Sequence, residues 1–438
     1  MELPASFKEF ARQRAFVPLA TEPAVPALVS RDRHSPFSYF LVALRAGVRY
    51  EERDEWGISH FLEHVLMRGT ERYPTLYDLT RHVEGLGGQT AAYSTRDLTA
   101  YWVKVPSDSG PVALEVLEEI LFHPSLDPKY IEAEREIIIH ERQRESTNYS
   151  VYTANAIESL LLEPNPMSRH PVGEDEVLAT FDAQRLRRYL ERTYRRQNMV
   201  LVACGNLEDG LIERINSFLA QAPSGPPPKP ANFLVESQYP DGSVIIKRSP
   251  FPQQVFISLG WRFPILSFKD LLTWRVINTL LGAGYTSLLN GQLRERSSLT
   301  YLCQTAMNAY DGMGIFKLHM AMHARDLPQA MLLVEEIIDS LAQGELAPEI
   351  FQEAVMRHAA GTVSRWENGL ERVRLGGHLL AREGEIFDLQ AYLEGLEGVS
   401  KERASQLVNR WLQPADRLVF ICTGASEVEK MFPQTYII

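Results

Sequence analysis

Three side chains within five residues have the types and spacing for metal chemistry: His60, Glu63 and His64. They lie in the run Trp56-Gly57-Ile58-Ser59-His60-Phe61-Leu62-Glu63-His64-Val65-Leu66-Met67. Apolar residues fill the gaps and no proline occurs over residues 56–72, which predicts a helix. On a helix, residues four apart stack on one face, and Glu63 falls on the same side. Two imidazoles so placed hold one zinc ion, and the carboxylate between them reaches the ion's water. The order H-x-x-E-H reverses the H-E-x-x-H pattern of other zinc-binding helices. An amphipathic helix with two chance histidines is the plain alternative.

A catalytic zinc needs a further protein ligand, and a carboxylate completes a common set with one position open for water. Residues 127–145 predict a long helix on which Glu134 and Glu141 stand two turns apart on one face. Most glutamates on such a helix are solvated, so spacing alone does not choose between them.

The positioning elements follow from periodicity and turn residues. A largely apolar strand is predicted over 38–46, and a helix over 75–86 with Thr75 as N-cap. Residues 89–105 predict two strands turning near Arg96-Asp97. The first holds Gln89, Thr90, Ala91, Ala92, Tyr93 and Ser94, whose small members leave room for a peptide to pair alongside or merely fill a tight turn. Five prolines between Pro223 and Pro230 mark an extended segment. The reading is therefore an α+β chain of two similar domains, 1–221 and 241–438, joined by a linker at 222–240. Each domain is expected to be a mostly antiparallel sheet packed with helices. In the second, a helix at 270–281 takes the slot of the His60 helix but carries Arg275-Val276-Ile277-Asn278-Thr279 there.

The 438 residues suit two or more domains, and 45% hydrophobic with 23% charged residues is ordinary globular composition. A net charge of −11 argues against a nucleic-acid partner. Cys204, Cys303 and Cys422 are widely spaced in apolar runs and read as buried free thiols of a reducing compartment. No secretory h-region and no apolar run of membrane-spanning length occur, so a cytoplasmic protein with no membrane partner is expected.

With these residues in place, the chain resembles the pitrilysin/insulysin-like (inverzincin) zinc metallopeptidases, specifically the short bacterial members similar to mitochondrial processing peptidase β. In that family H-x-x-E-H is followed by 76 residues and then a glutamate ligand. Here 76 residues separate His64 from Glu141. The resemblance implies zinc on His60, His64 and Glu141, Glu63 as general base, and Glu134 as a support. It implies that residues 89–94 form the edge strand on which substrate pairs. The family's arginine-tyrosine pair matches Arg294 and Tyr301 in Leu293-Arg294-Glu295-Arg296-Ser297-Ser298-Leu299-Thr300-Tyr301, where they polarise the substrate carbonyl. Ala91 replaces the family's usual asparagine, and Ser297-Ser298 its usual Arg-Gly. The implied activity is endopeptidase cleavage of short or unfolded peptides inside a chamber closed by a homodimer. The alternatives are a catalytically silent scaffold subunit, a processing peptidase paired with a zinc-free sister chain, and a non-enzymatic zinc module.

Overall fold

Apolar runs covered on both faces make central strands. The computed structural model describes residues 2–208, 210–232, 234–235, 239–310, 312–432 and 435–438. Its first sheet runs β1 (Val17–Pro18), β2 (Ala27–Arg31), β6 (Met199–Gly205), β3 (Phe37–Leu44), β5 (Thr99–Pro106), β4 (Gln89–Ser94). The fully buried β6 and nearly buried β3 lie at its centre, and the half-exposed β4 forms one edge. The pair β2–β6 is parallel and the other four pairs are antiparallel. Helices α1 (Ala5–Gln13), α2 (Ile58–Leu66), α3 (Leu76–Glu84), α4 (Gly110–Phe122) and α5 (Pro128–Thr147) precede α6 (Tyr149–Leu162). Then come α7 (Asp175–Leu178), α8 (Ala183–Thr193) and α9 (Leu211–Gln221).

The second sheet runs β12 (Thr435–Ile437), β7 (Val244–Arg248), β11 (Leu418–Thr423), β8 (Gln254–Pro264), β10 (Met313–His323), β9 (Thr300–Tyr310). Stripped of the outer strands β1 and β12, the two sheets have the same order. β2, β3, β4, β5 and β6 correspond to β7, β8, β9, β10 and β11, with the first and last of each set parallel. In the second sheet β12–β7 is parallel as well, and the remaining three pairs are antiparallel, as expected. Its helices are α10 (Phe268–Leu281), α11 (Leu327–Gln343), α12 (Pro348–Glu367), α13 (Gly369–Glu383), α14 (Leu389–Glu397), α15 (Lys401–Trp411) and α16 (Ser426–Met431). Helix α10 occupies the place of α2. Of the expected linker, residues 233 and 236–238 lie outside the described residues, and the described remainder holds no helix or strand.

The halves are interlocked. Helix α6 packs on β8, β10 and β11, where Ile157, Leu161 and Leu162 meet Ile245, Ile315, Leu418 and Phe420. Its counterpart α13 packs on β3 and β6 of the first sheet. Glycines permit both approaches: a Cβ on Gly260 would stand 2.5 Å from Leu161 Cδ1, and one on Gly377 would stand 2.5 Å from Leu41 Cδ2. The sequence reading assigns no helix to the N-terminal residues, yet α1 forms there. Phe7, Phe10 and Ala11, at helical spacing, turn toward the core of the second half, and Leu3 N–H donates to Glu397 at 2.7 Å. Glu158 of α6 accepts from Tyr310 at 2.7 Å and from Lys317, and pairs with Arg96 beyond the end of β4. Cys204, Cys303 and Cys422 are buried and unbridged.

Candidate metal centre

Helix α2 is built to present its face rigidly. Gly57, its N-cap, has φ 94°, a conformation that glycine alone adopts without strain. A Cβ there would also meet Gly173 Cα at 2.7 Å, so the loop at 170–173 lies directly against the helix start. The fully buried Glu51 caps the helix. Its carboxylate accepts Gly57 N–H at 2.8 Å and Ser59 N–H at 3.0 Å, satisfying donors that a helix start leaves free. Burial raises Glu51 to about 7 against those hydrogen bonds. The sequence reading misses Glu51, which sits six residues ahead of Gly57 in a charge-rich stretch where no capping spacing marks it.

His60 and His64 stack as the four-residue spacing requires, with ring centroids 4.6 Å apart. Glu141 comes from α5, which packs on α2. One oxygen, Oε2, lies 3.9 Å from His60 Nε2 and 3.8 Å from His64 Nε2. A Glu63 oxygen also lies within 4.8 Å of one nitrogen on each ring. Two carboxylates therefore flank one imidazole pair, and their surroundings separate their roles. Glu141 is about a third exposed and faces both Nε2 atoms nearly equally. Glu63 is buried and accepts Ser94 Oγ from β4 at 3.4 Å.

The buried Glu134 fixes His64 from behind. Its Oε2 accepts His64 Nδ1–H at 2.8 Å and its other oxygen pairs with Arg68. With the proton on Nδ1, the lone pair of His64 Nε2 points toward Glu141. Burial works to raise the Glu134 carboxyl, but hydrogen bonds from His64 and Arg68 outweigh it and hold the group below its usual range. Burial works to lower His64, and Glu134, Glu63 and Glu141 together raise it instead. His60 is pushed down to about 3, mainly by burial and further by His64 and His170, which keeps its imidazole neutral. Its Nδ1 is buried with no hydrogen-bond partner among the described residues. Burial lifts Glu63 to about 7 despite His64 and Ser94, with Glu141 and Glu134 adding to the rise.

This donor set fits zinc: two neutral-capable imidazole nitrogens and one carboxylate oxygen converge, leaving room for a further ligand. The strand at 89–94 is a true edge. Among the described residues β4 pairs with β5 only, and no strand pairs with its other side. Arg294 and Tyr301 belong to the second half. Arg294 sits in a π-helical turn, Asn290–Arg296, with its guanidinium 5.2 Å from the Tyr285 ring. Tyr301 lies on β9, the edge of the second sheet, and is half exposed. Among the described residues, no hydrogen bond or ion pair joins either to His60, Glu63, His64 or Glu141.

Two similar α+β halves, one bearing an H-x-x-E-H helix, define a metallopeptidase type of fold, and sequence comparison names it. The profile of the insulinase family (Peptidase family M16) matches residues 27–173, and that of the Peptidase M16 inactive domain matches 180–357. The chain belongs to the M16 peptidase family. Among its relatives is YmxG of Bacillus subtilis, named an uncharacterized zinc protease, at 25% identity over 82% of this chain and 89% of the relative. The mitochondrial-processing peptidase subunit β of Caenorhabditis elegans is 29% identical over 55% of this chain and 52% of its own. A protease from Helicobacter pylori superposes with a TM-score of 0.82 at 16% identity, covering 94% of this chain and all of that one. The family profile's second match begins at residue 180, ahead of the proline-rich segment. No helix among the described residues is long and apolar enough to cross a membrane.

Proposed function

We propose that this chain is a zinc-dependent endopeptidase that hydrolyses short or unfolded peptides. The observation that carries the reading is Glu141 Oε2 standing 3.8 and 3.9 Å from the two imidazole nitrogens, with the buried Glu63 beside them. His60, His64 and Glu141 would hold the ion. A zinc ion held there would supply Lewis-acid chemistry, polarising a carbonyl and easing the ionisation of water. Glu63 takes the water proton and delivers it to the leaving amine, a task suited to a carboxyl that lies beside both imidazoles. Ser94 holds Glu63 from the strand, and Glu134 keeps the His64 ring in its donor tautomer. The substrate backbone pairs with the free edge of β4, residues 89–94, which brings it alongside α2.

Arg294 and Tyr301 would supply donors to the developing oxyanion once the two halves, or two chains, close over the substrate. A homodimer enclosing the site is part of the reading, resting on the resemblance, in which a chain of two such domains needs a partner to close a chamber. The test is the purified, zinc-loaded chain against its Glu63→Gln variant on short fluorogenic peptides. The variant should keep one zinc per chain and lose activity by about 10²–10⁴-fold. Full activity in the variant would refute the mechanism. A parent chain that binds zinc but cleaves no peptide would favour the silent-subunit alternative.

A further inference from the structure

A strand added to β4 sends alternate side chains to opposite faces of the sheet. On one face, Ser94 and Ala92 turn toward α2 and the metal centre. On the other, Tyr93 turns toward α13: its hydroxyl lies 2.7 Å from His378 Nε2 and the Arg374 guanidinium lies 4.5 Å from its ring centroid. Helix α13 carries Arg374, His378 and Arg382 four residues apart, hence in one row. Arg382 reaches Asp97, in the turn that follows β4, at 2.6 Å, so the row runs along the strand toward that turn.

More positive charge stands behind the row. Arg275 of α10 donates to Met307 O at 2.9 Å and has no ion-pair partner among the described residues. Burial lowers its pKa, and Arg365 and Arg382 add to the effect. Burial also lowers His378 to about 3, helped by Arg382 and Arg374, so this imidazole is neutral. Arg275, Arg374 and Arg382 thus gather here, and among the described residues two carboxylates pair with them, Glu371 with Arg374 and Asp97 with Arg382. Arg382 Nε is buried without a partner. A chain of net charge −11 concentrates cations beside its free strand edge, which marks the place for an anionic ligand.

We propose that this arginine row is a specificity subsite, and that the preferred substrates are peptides with acidic side chains at alternate positions, directed at Arg374 and Arg382. The inference rests on β4 as the substrate strand. Eight helical residues span about 12 Å, and four residues of extended peptide span about 13 Å. Acidic residues four apart on the α13-facing side therefore match Arg374 and Arg382.

The experiment uses the zinc-loaded full chain and one neutral fluorogenic peptide, with Glu placed singly at each position around the cleaved bond. Glu at alternate positions should raise kcat/KM about two- to fivefold over the neutral peptide, and Glu at the intervening positions should not. The readout is this acidic-to-neutral ratio within each variant, so a general loss of folded protein cancels. Arg374→Gln should bring the ratio toward one, and Arg374→Glu should turn the preference to a Lys-bearing peptide. Cleavage without charge preference, or a ratio kept in both variants, overturns this proposal alone. Cleavage of none of the peptides overturns the peptidase reading and this one with it.

Discussion

Glu134 touches no ion in the arrangement described, yet its replacement should weaken zinc binding in a graded way. Its carboxylate makes two charge-assisted contacts, to His64 Nδ1 and to Arg68, from a position 1% exposed. A hydrogen bond to a charged group contributes about 1.5–3 kcal/mol and a neutral one about 1 kcal/mol. Glu134→Gln keeps an acceptor for His64 but loses the charge, about 1–1.5 kcal/mol, or roughly tenfold in zinc affinity. Glu134→Ala leaves Nδ1 and the Arg68 guanidinium without their partner and frees the ring to turn, so the loss should approach about 100-fold. Competition titration against a chromophoric chelator measures both constants, and urea unfolding of the metal-free variants separates loss of fold from loss of affinity. The order parent, Gln, Ala is the essential result. Equal zinc affinity in all three would refute the claim that His64 is oriented from behind.

Other predictions address the base and the packing. In metal-free protein, the Glu63 carboxyl keeps its proton up to about 7, whereas the unfolded chain releases it near the ordinary value of 4.5. The unfolded chain then binds fewer protons in that window, so stability falls as pH rises from 4.5 to 7, by up to about 3 kcal/mol from this group. Urea unfolding at pH 5 and pH 8 should show a shallower pH dependence in metal-free Glu63→Gln, and an unchanged dependence would contradict the burial argument. Gly57→Ala places a methyl 2.7 Å from Gly173 Cα in a left-handed backbone, and should cost about 2 kcal/mol or more in unfolding measurements. Gly260→Val, pressed against Leu161 and Ile157, should cost about 1–3 kcal/mol by overpacking; an unchanged midpoint would show that α6 can shift aside.

What the sequence made legible was local. The His60–His64 stack follows from helical spacing alone, and the Thr75 cap, which accepts Asp78 N–H at 3.1 Å, follows from residue type. The α2 helix is shorter than the proline-free stretch, because a left-handed Gly57 starts it and Met67 ends it. Glu141 was selected by a family spacing across 76 residues. Nothing in its own neighbourhood distinguishes it from the other glutamates of α5. Glu51 stayed hidden because a buried cap reaching back over a turn has no fixed offset. The packing of α6 and α13 is of the same kind, since an apolar helix face does not say which sheet will cover it.

That exchange of α6 and α13 has a consequence for the integrity of the molecule. Each half lends its sibling the roof over one side of a sheet, so neither half owns a complete interior. A nick in the proline-rich segment would leave two polypeptides clasped as a single particle. A gene fragment ending there would instead yield a product with a bare greasy wall, prone to clump rather than to work alone.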